Sequence, residues 1–237
     1  MSLHVLPFRT GGAAENMATD FLLLQRYPEP AMPRFRHYGW HRPAFTFGYS
    51  QQIAVVRAQL PPGEVFDLCR RPTGGGLVDH REDWTYTLVI PRGHPLEEVR
   101  ASHSYRCVHE ALAAALRAQD VPAVTKNVAD EDAGGGPAGV CFQRAEIFDV
   151  VHGRSGEKIA GAAQKRNKQG LLFQGTIWRP AAGGEAIDWE RFREDFIAEL
   201  ATTLGAPATP APWPELNEDE LAALTEQYSS AEWMEFR

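Results

Sequence analysis

Apolar residues recur at helical spacing near the N-terminus. Met17, Phe21 and Leu24 fall on one face of a helix over roughly residues 17–27, which Asn16 could cap. Short strand-like runs follow at 34–38 and 44–48, split by a turn over 39–43. Residues 65–69 read as a strand leading into a glycine loop. Residues 84–90 (WTYTLVI) are rich in β-branched and aromatic side chains and read as a buried strand that Pro91 ends. The longest helix spans 96–118, with Val99, Val108, Leu112 and Leu116 facing inward. Residues 127–139 are acidic and glycine-rich and read as a mobile loop. Strands are predicted at 146–151, 157–163 and 170–178, and helices near 188–204 and 217–228, with a Pro/Ala linker at 206–214. The strands cluster instead of alternating strictly with helices. That pattern predicts an α+β fold, with helices packed on a central mixed β-sheet.

Composition narrows the class. The chain has 237 residues, enough for one large domain over 1–237, with 206–237 as a C-terminal helical appendage. Its hydrophobic fraction, 43%, suffices for a core. No run approaches the ~18 apolar residues of a membrane-spanning helix. The first residues, MSLHVLP, lack a secretory pattern, so a soluble cytoplasmic protein with no membrane partner is expected. Three cysteines, Cys69, Cys107 and Cys141, form neither a disulfide scaffold nor a C-x-x-C metal pair. No metal site is expected.

The net charge of −7 argues against a nucleic-acid partner. The charge is uneven. Residues 151–180 hold Arg154, Lys158, Lys165, Arg166, Lys168 and Arg179 against only Glu157. This strip fits an anionic ligand or acidic partner, or simply a solvated charged face.

Two runs carry candidate chemistry. In RRPTGGGLVDH, residues 70–80, paired arginines enter three glycines and a histidine follows. Bare backbone at Gly74, Gly75 and Gly76 permits close approach to a phosphate or carboxylate, although a glycine hairpin between strands is the plainer reading. Arg71 and His80, flanking the glycines, favour a site. In GEKIAGAAQ, residues 156–164, Lys158 opens a strand of small residues. A lysine there could orient a carboxylate, phosphate or thioester carbonyl, or serve structure alone. Gln174, Gly175 and Thr176 lie on the next strand, where they could bind the same ligand. Cys141, in GVCF, follows the acidic loop; it is a nucleophile only as a thiolate, and otherwise a small buried hydrophobe.

Together these runs resemble the biotin/lipoate protein ligase superfamily. RRPTGGGLVDH resembles its arginine–glycine motif, and GEKIAGAAQKRNKQGLLFQGTI its lysine motif. Asn16-Met17-Ala18-x-Asp20, Arg36-x-Tyr38-x-Trp40 and Phe47-Gly48-Tyr49-x-Gln51 also match, in order, over roughly residues 15–180. The resemblance implies a fold like the catalytic domains of class II tRNA synthetases and biotin ligases. It implies transfer of octanoyl or lipoyl groups to a lysine ε-amino group on a lipoyl domain or glycine-cleavage H protein.

Two branches of that superfamily differ in chemistry. Lipoate-protein ligases activate a free acid with ATP and Mg through lipoyl-AMP. Octanoyltransferases take the acyl group from acyl carrier protein through a cysteine, with no cofactor. GVCF resembles the cysteine segment of LipM-type octanoyltransferases, and the run after His80 is closer to the transferase pattern. The resemblance thus implies a Cys141–Lys158 catalytic dyad. Arg71, Gly74, Gly75, Gly76, His80, Gly161, Ala163, Gln174 and Gly175 are the implied substrate-binding residues. Backbone N–H groups near 161–163 or 74–76 are candidates for the oxyanion site. Two departures stand out. Arg81 replaces the usual Asp after the histidine, and Arg144-Ala145-Glu146 stand where an aromatic residue is usual. An ATP-dependent ligase and an inactive acyl-binding paralogue are the alternatives.

Overall fold

The structure, a computed structural model, describes residues 1–26, 31–128 and 144–236. In chain order it begins with β1 (Leu3–Val5), β2 (Arg9–Gly11), α1 (Ala13–Gln25), β3 (Arg34–Trp40), β4 (Ala44–Phe47) and α2 (Ile53–Arg57). Next come β5 (Asp67–Arg70), β6 (Leu77–Asp79), β7 (Asp83–Pro91), α3 (Pro95–Glu98), α4 (Ala101–Arg117) and β8 (Ala123–Thr125). β9 (Val150–His152), β10 (Lys158–Asn167), β11 (Gly170–Trp178), α5 (Arg179–Ala182), α6 (Trp189–Leu204), β12 (Ala208–Pro210), α7 (Glu218–Ser229) and α8 (Ala231–Glu235) complete it.

Strands pair in the order β12-β1-β3-β7-β11-β10-β9-β8, with β2 also on β3. The β12, β1 and β2 pairings are parallel and the others antiparallel, so the main sheet is mixed, as the sequence predicts. A second sheet orders β5-β4-β6.

Side-chain alternation along β7 and β11 assigns the two faces of the main sheet. Trp84, Tyr86, Leu88 and Ile90, with Leu171, Phe173 and Ile177, pack under α4 and α6 through Val108, Leu112, Phe192, Phe196 and Leu200. The opposite face presents Val89 and Leu172 to Leu23 and Leu24 of α1. It also carries Thr85, Thr87, Gln174 and Thr176, and the polar cleft therefore lies on the α1 side. The other flank of α1 packs on Ala44, Cys69 and Tyr228, joining the second sheet and α7 to the main body.

Several element boundaries differ from the sequence reading. Asn16 does not cap α1. Gly12 does, and the Glu15 carboxylate accepts from the Gly12 N–H at 3.1 Å. Asn16 instead lies buried inside the helix, donating to the Gly11 and Gly39 carbonyls. Arg34 donates to the Leu23 and Arg26 carbonyls, satisfying the end of α1. The long helix is divided at Val99 and Arg100 into α3 and α4. Gly39 stays in strand, because β3 runs on to pair with β2. Val65 is exposed and outside β5. Residues 146–149 form a turn with Phe148 at φ +70°, while β10 extends to Asn167.

Candidate active site

The arginine–glycine loop joins β5 to β6 and lies against the end of β4. The Tyr49 N–H donates to the Thr73 carbonyl at 2.8 Å and the Arg71 N–H to Phe47 at 2.9 Å. Gly75 has φ +91°, the one of the three glycines whose backbone itself requires glycine. The loop passes so close over Gly48 that a Cβ there would sit 2.0 Å from the Gly75 carbonyl oxygen. Arg71 turns back on its own loop. Its guanidinium donates to Gly74 O at 2.8 Å, Gly76 O at 2.9 Å and Thr46 Oγ1 at 3.1 Å. The neighbouring Arg70, fully buried, donates to the carbonyls of Tyr49, Gln51, Trp233 and Met234, clamping α8 onto the second sheet.

The two sequence motifs face each other. A Cβ on Gly75 would lie 3.9 Å from the Ala163 Cβ of β10. The cleft between them is lined by Arg71, Gly75 and His80 from one motif and by Gly161, Ala162, Ala163, Gln174 and Gly175 from β10 and β11, with Met17 and Tyr38 also lining it. Gly74 faces open space, with no heavy atom near a would-be Cβ.

Lys158 lies at the irregularity where β9 and β10 lose register. Its side chain is buried, with Nζ 2.7 Å from Asp149 Oδ2. It also donates to the Arg144 carbonyl at 3.4 Å. The lysine stem covers Gly161: a Cβ there would meet Cε at 2.9 Å and Asp149 Oδ1 at 3.1 Å. Lys158 and the cleft thus share Gly161 as a common wall. Asp149 is itself fixed by the Glu146 N–H at 2.7 Å. The buried His109 ring donates through Nδ1 to the Phe148 carbonyl, holding the left-handed turn before Asp149.

The remaining predicted residues are engaged within the protein. Gln174 donates to Asp20 at 2.7 Å and accepts from Thr73 at 2.7 Å, tying β11 to α1 and to the glycine loop. Asp20, fully buried, also binds Arg36 at 2.7 Å. Burial and the Asp20 charge push the Tyr38 phenol up. Gly175 is required because Tyr86 lies across it; a Cβ would meet the ring at 2.1 Å. Thr176 donates to Asp83. His80 bridges Thr46 and Asp83.

The basic strip does not form one surface. Lys158 is buried, and Arg166 is drawn inward to the Glu97 carbonyl and Ser104. Cys69 is buried, and burial pushes its thiol up to about 12, so it is inert at neutral pH. Burial also raises Cys107. Cys141 lies outside the described residues. Among the described residues, no helix is long and apolar enough to cross a membrane.

Asp149, Thr46 and Asp83 were not among the candidate site residues read from the sequence. Asp83, three residues after His80, carried a spacing signal. Asp149 and Thr46 carried none, since neither falls in a motif.

A mixed sheet on which an arginine–glycine loop faces a buried lysine strand defines a catalytic domain of the biotin/lipoate protein ligase superfamily. Within it, the chain belongs to the lipoyl protein ligase A/B catalytic domain family, whose sequence signature matches residues 12–179. It is similar to the octanoyltransferase LipM of Bacillus cereus, 33% identical over 170 residues. That match covers 69% of this chain and 60% of the relative, so the chain spans about 60% of the relative's length. In fold it is similar to a T. acidophilum protein solved with bound lipoic acid, at TM-score 0.76 and 20% identity over 100% of both chains. Lipoate-protein ligase A bound with ATP superposes at TM-score 0.75 and 19% identity, over 99% of this chain and 98% of that one.

Proposed function

We propose that this protein transfers an octanoyl, or lipoyl, group to the ε-amino group of a lysine on a lipoyl domain or glycine-cleavage H protein. Acyl carrier protein would be the donor. The observation that carries this reading is the buried Lys158–Asp149 pair abutting a narrow cleft walled by Gly161, Ala162 and Ala163. Small residues leave room for an unbranched acyl chain, and each buried CH2 contributes about 0.8 kcal/mol of affinity. The similarity to LipM octanoyltransferases supports the same reading.

The proposed reaction has two halves. The Cys141 sulfur attacks the donor thioester carbonyl, the carbon–sulfur bond to the carrier breaks, and the carrier thiol leaves with a proton. The acceptor amine then attacks the acyl-enzyme, an amide forms, and the cysteine thiol is restored. Lys158 supplies positive charge that favours the thiolate and the developing oxyanion. Asp149 holds that charge in place.

The test uses octanoyl-acyl carrier protein without ATP, followed by intact mass. Acyl-enzyme forms in the wild type and is lost in Cys141→Ser. Acylation that survives Cys141→Ser removes the cysteine from the reaction. Transfer that requires ATP and free lipoate makes the protein a ligase. Binding of lipoate without turnover under either condition makes it an acyl-binding paralogue.

A further inference from the structure

His80 occupies the cleft wall, yet both its ring nitrogens are engaged by protein groups. Nδ1 lies 2.6 Å from Asp83 Oδ2 and Nε2 lies 2.7 Å from Thr46 Oγ1. Asp83 Oδ2 also accepts from Thr85 at 2.8 Å and from Thr176, so the carboxylate is anchored to the central sheet on two strands. Trp40 covers the imidazole face at 4.2 Å between ring centroids and is itself pinned by its indole N–H to Thr85. On the other side, Arg71 donates to the Thr46 hydroxyl oxygen and to the carbonyls of Gly74 and Gly76.

Asp83 Oδ2 accepts all three of its bonds, from His80, Thr85 and Thr176, while Oδ1 is buried with no hydrogen-bond partner. The Asp83 carboxylate accepts, so Nδ1 carries the proton. Thr46 Oγ1 receives the Arg71 N–H and shares a further hydrogen bond with His80 Nε2. An imidazole ring with a proton on Nδ1 completes the chain.

We propose that His80 and Thr46 are positioning residues. The chain Asp83–His80–Thr46–Arg71 transmits the position of the central sheet to the glycine loop and holds the loop in its ligand-receiving shape. The inference does not need His80 to touch the substrate. It rests on the proposed function only in naming an octanoyl donor as the ligand whose KM responds.

Thr46→Val tests it, since the side chain keeps its shape and loses the hydroxyl. Thr46→Ser restores the hydroxyl. Amide hydrogen exchange at Tyr49 and Arg71, whose N–H groups bond between the loop and the end of β4, measured on the free protein, should accelerate at least tenfold in Thr46→Val and return toward wild type in Thr46→Ser. With octanoyl-acyl carrier protein, the effect should fall on KM rather than kcat. Unchanged exchange in Thr46→Val overturns the proposal, as does a loss confined to kcat. Should Thr46→Val not fold, nitrogen chemical shifts of His80 in the wild type decide. A ring carrying its proton on Nδ1 supports the chain, and a ring protonated on Nε2 alone refutes it. The exchange and tautomer readouts need no substrate, so they stand or fall separately from the acyltransfer reading.

Discussion

Neutralising Asp149 should expose how much the buried ion pair contributes to stability. Lys158 Nζ and Asp149 Oδ2 are 2.7 Å apart, with side chains only 5% and 9% exposed. Water screens such a pair little, and removing one partner of a buried pair costs about 3–5 kcal/mol. Asp149→Asn keeps the shape and an oxygen acceptor, which places the expected loss at the lower end, about 3 kcal/mol. For a domain of this size each kcal/mol lowers Tm by about 2–4 °C, so a fall of roughly 6–12 °C is expected. Urea denaturation at neutral pH should show a lower midpoint at unchanged slope. Adding Lys158→Met removes the other charge, and the double variant should regain most of the lost stability while remaining inactive in acyl transfer. The same cycle measures the coupling directly. An Asp149→Asn protein within about 0.5 kcal/mol of wild type would refute the argument, because that is the range of ordinary surface substitutions. Strict additivity in the double variant would refute it equally.

Two further outcomes follow from local geometry. Gly48→Ala drives a Cβ to 2.0 Å from the Gly75 carbonyl oxygen, so the glycine loop must move. Destabilisation of at least about 1–3 kcal/mol is expected by denaturation, together with weaker binding of an octanoyl donor. Wild-type behaviour would mean that the loop does not rest on β4. His37 is stacked on Trp84 at 4.0 Å and donates from Nδ1 to the Thr85 carbonyl, and burial lowers its pKa from 6.5 to about 4. The folded ring therefore stays neutral where the unfolded one is protonated. Its contribution is full above pH 6.5 and is lost as pH falls from 6.5 towards 4. His37→Phe should flatten the stability profile across that window, and an unchanged slope would count against the buried neutral ring.

Much of the framework was legible in the chain. The β-branched and aromatic run WTYTLVI marked β7, and the run at 170–178 marked β11 over its full length, Gly170–Trp178. Asp188 and Asn217 bound the C-terminal helices close to where the sequence placed them, each accepting from backbone N–H groups of its first turn. The triple glycine and the Lys158 strand were visible as motifs, and the structure brings them together across one cleft. The α3–α4 break was hidden, because a run of helical spacing does not reveal where the chain must bend to cover the sheet.

Local signals such as hydrophobic period, turn residues and motif spacing reach only a few residues along the chain. They were enough for the mixed α+β architecture and for the two motifs, and the superfamily came from the resemblance those motifs carry. The partners of those motifs were not local. Thr73 and Gln174 meet across 101 residues, and His80 meets Thr46 across 34. Those meetings depend on which strand lies beside which and in what register, as in Gln174 opposite Thr87 and Ala163 opposite Gln174. A shift of one residue in either ladder would turn Gln174 to the opposite face and break its bonds to Asp20 and Thr73. Only the assembled sheet therefore brought Arg71 to the Gly74 and Gly76 carbonyls, Gln174 to Asp20 and Thr73, Lys158 to Asp149 and His80 to Thr46.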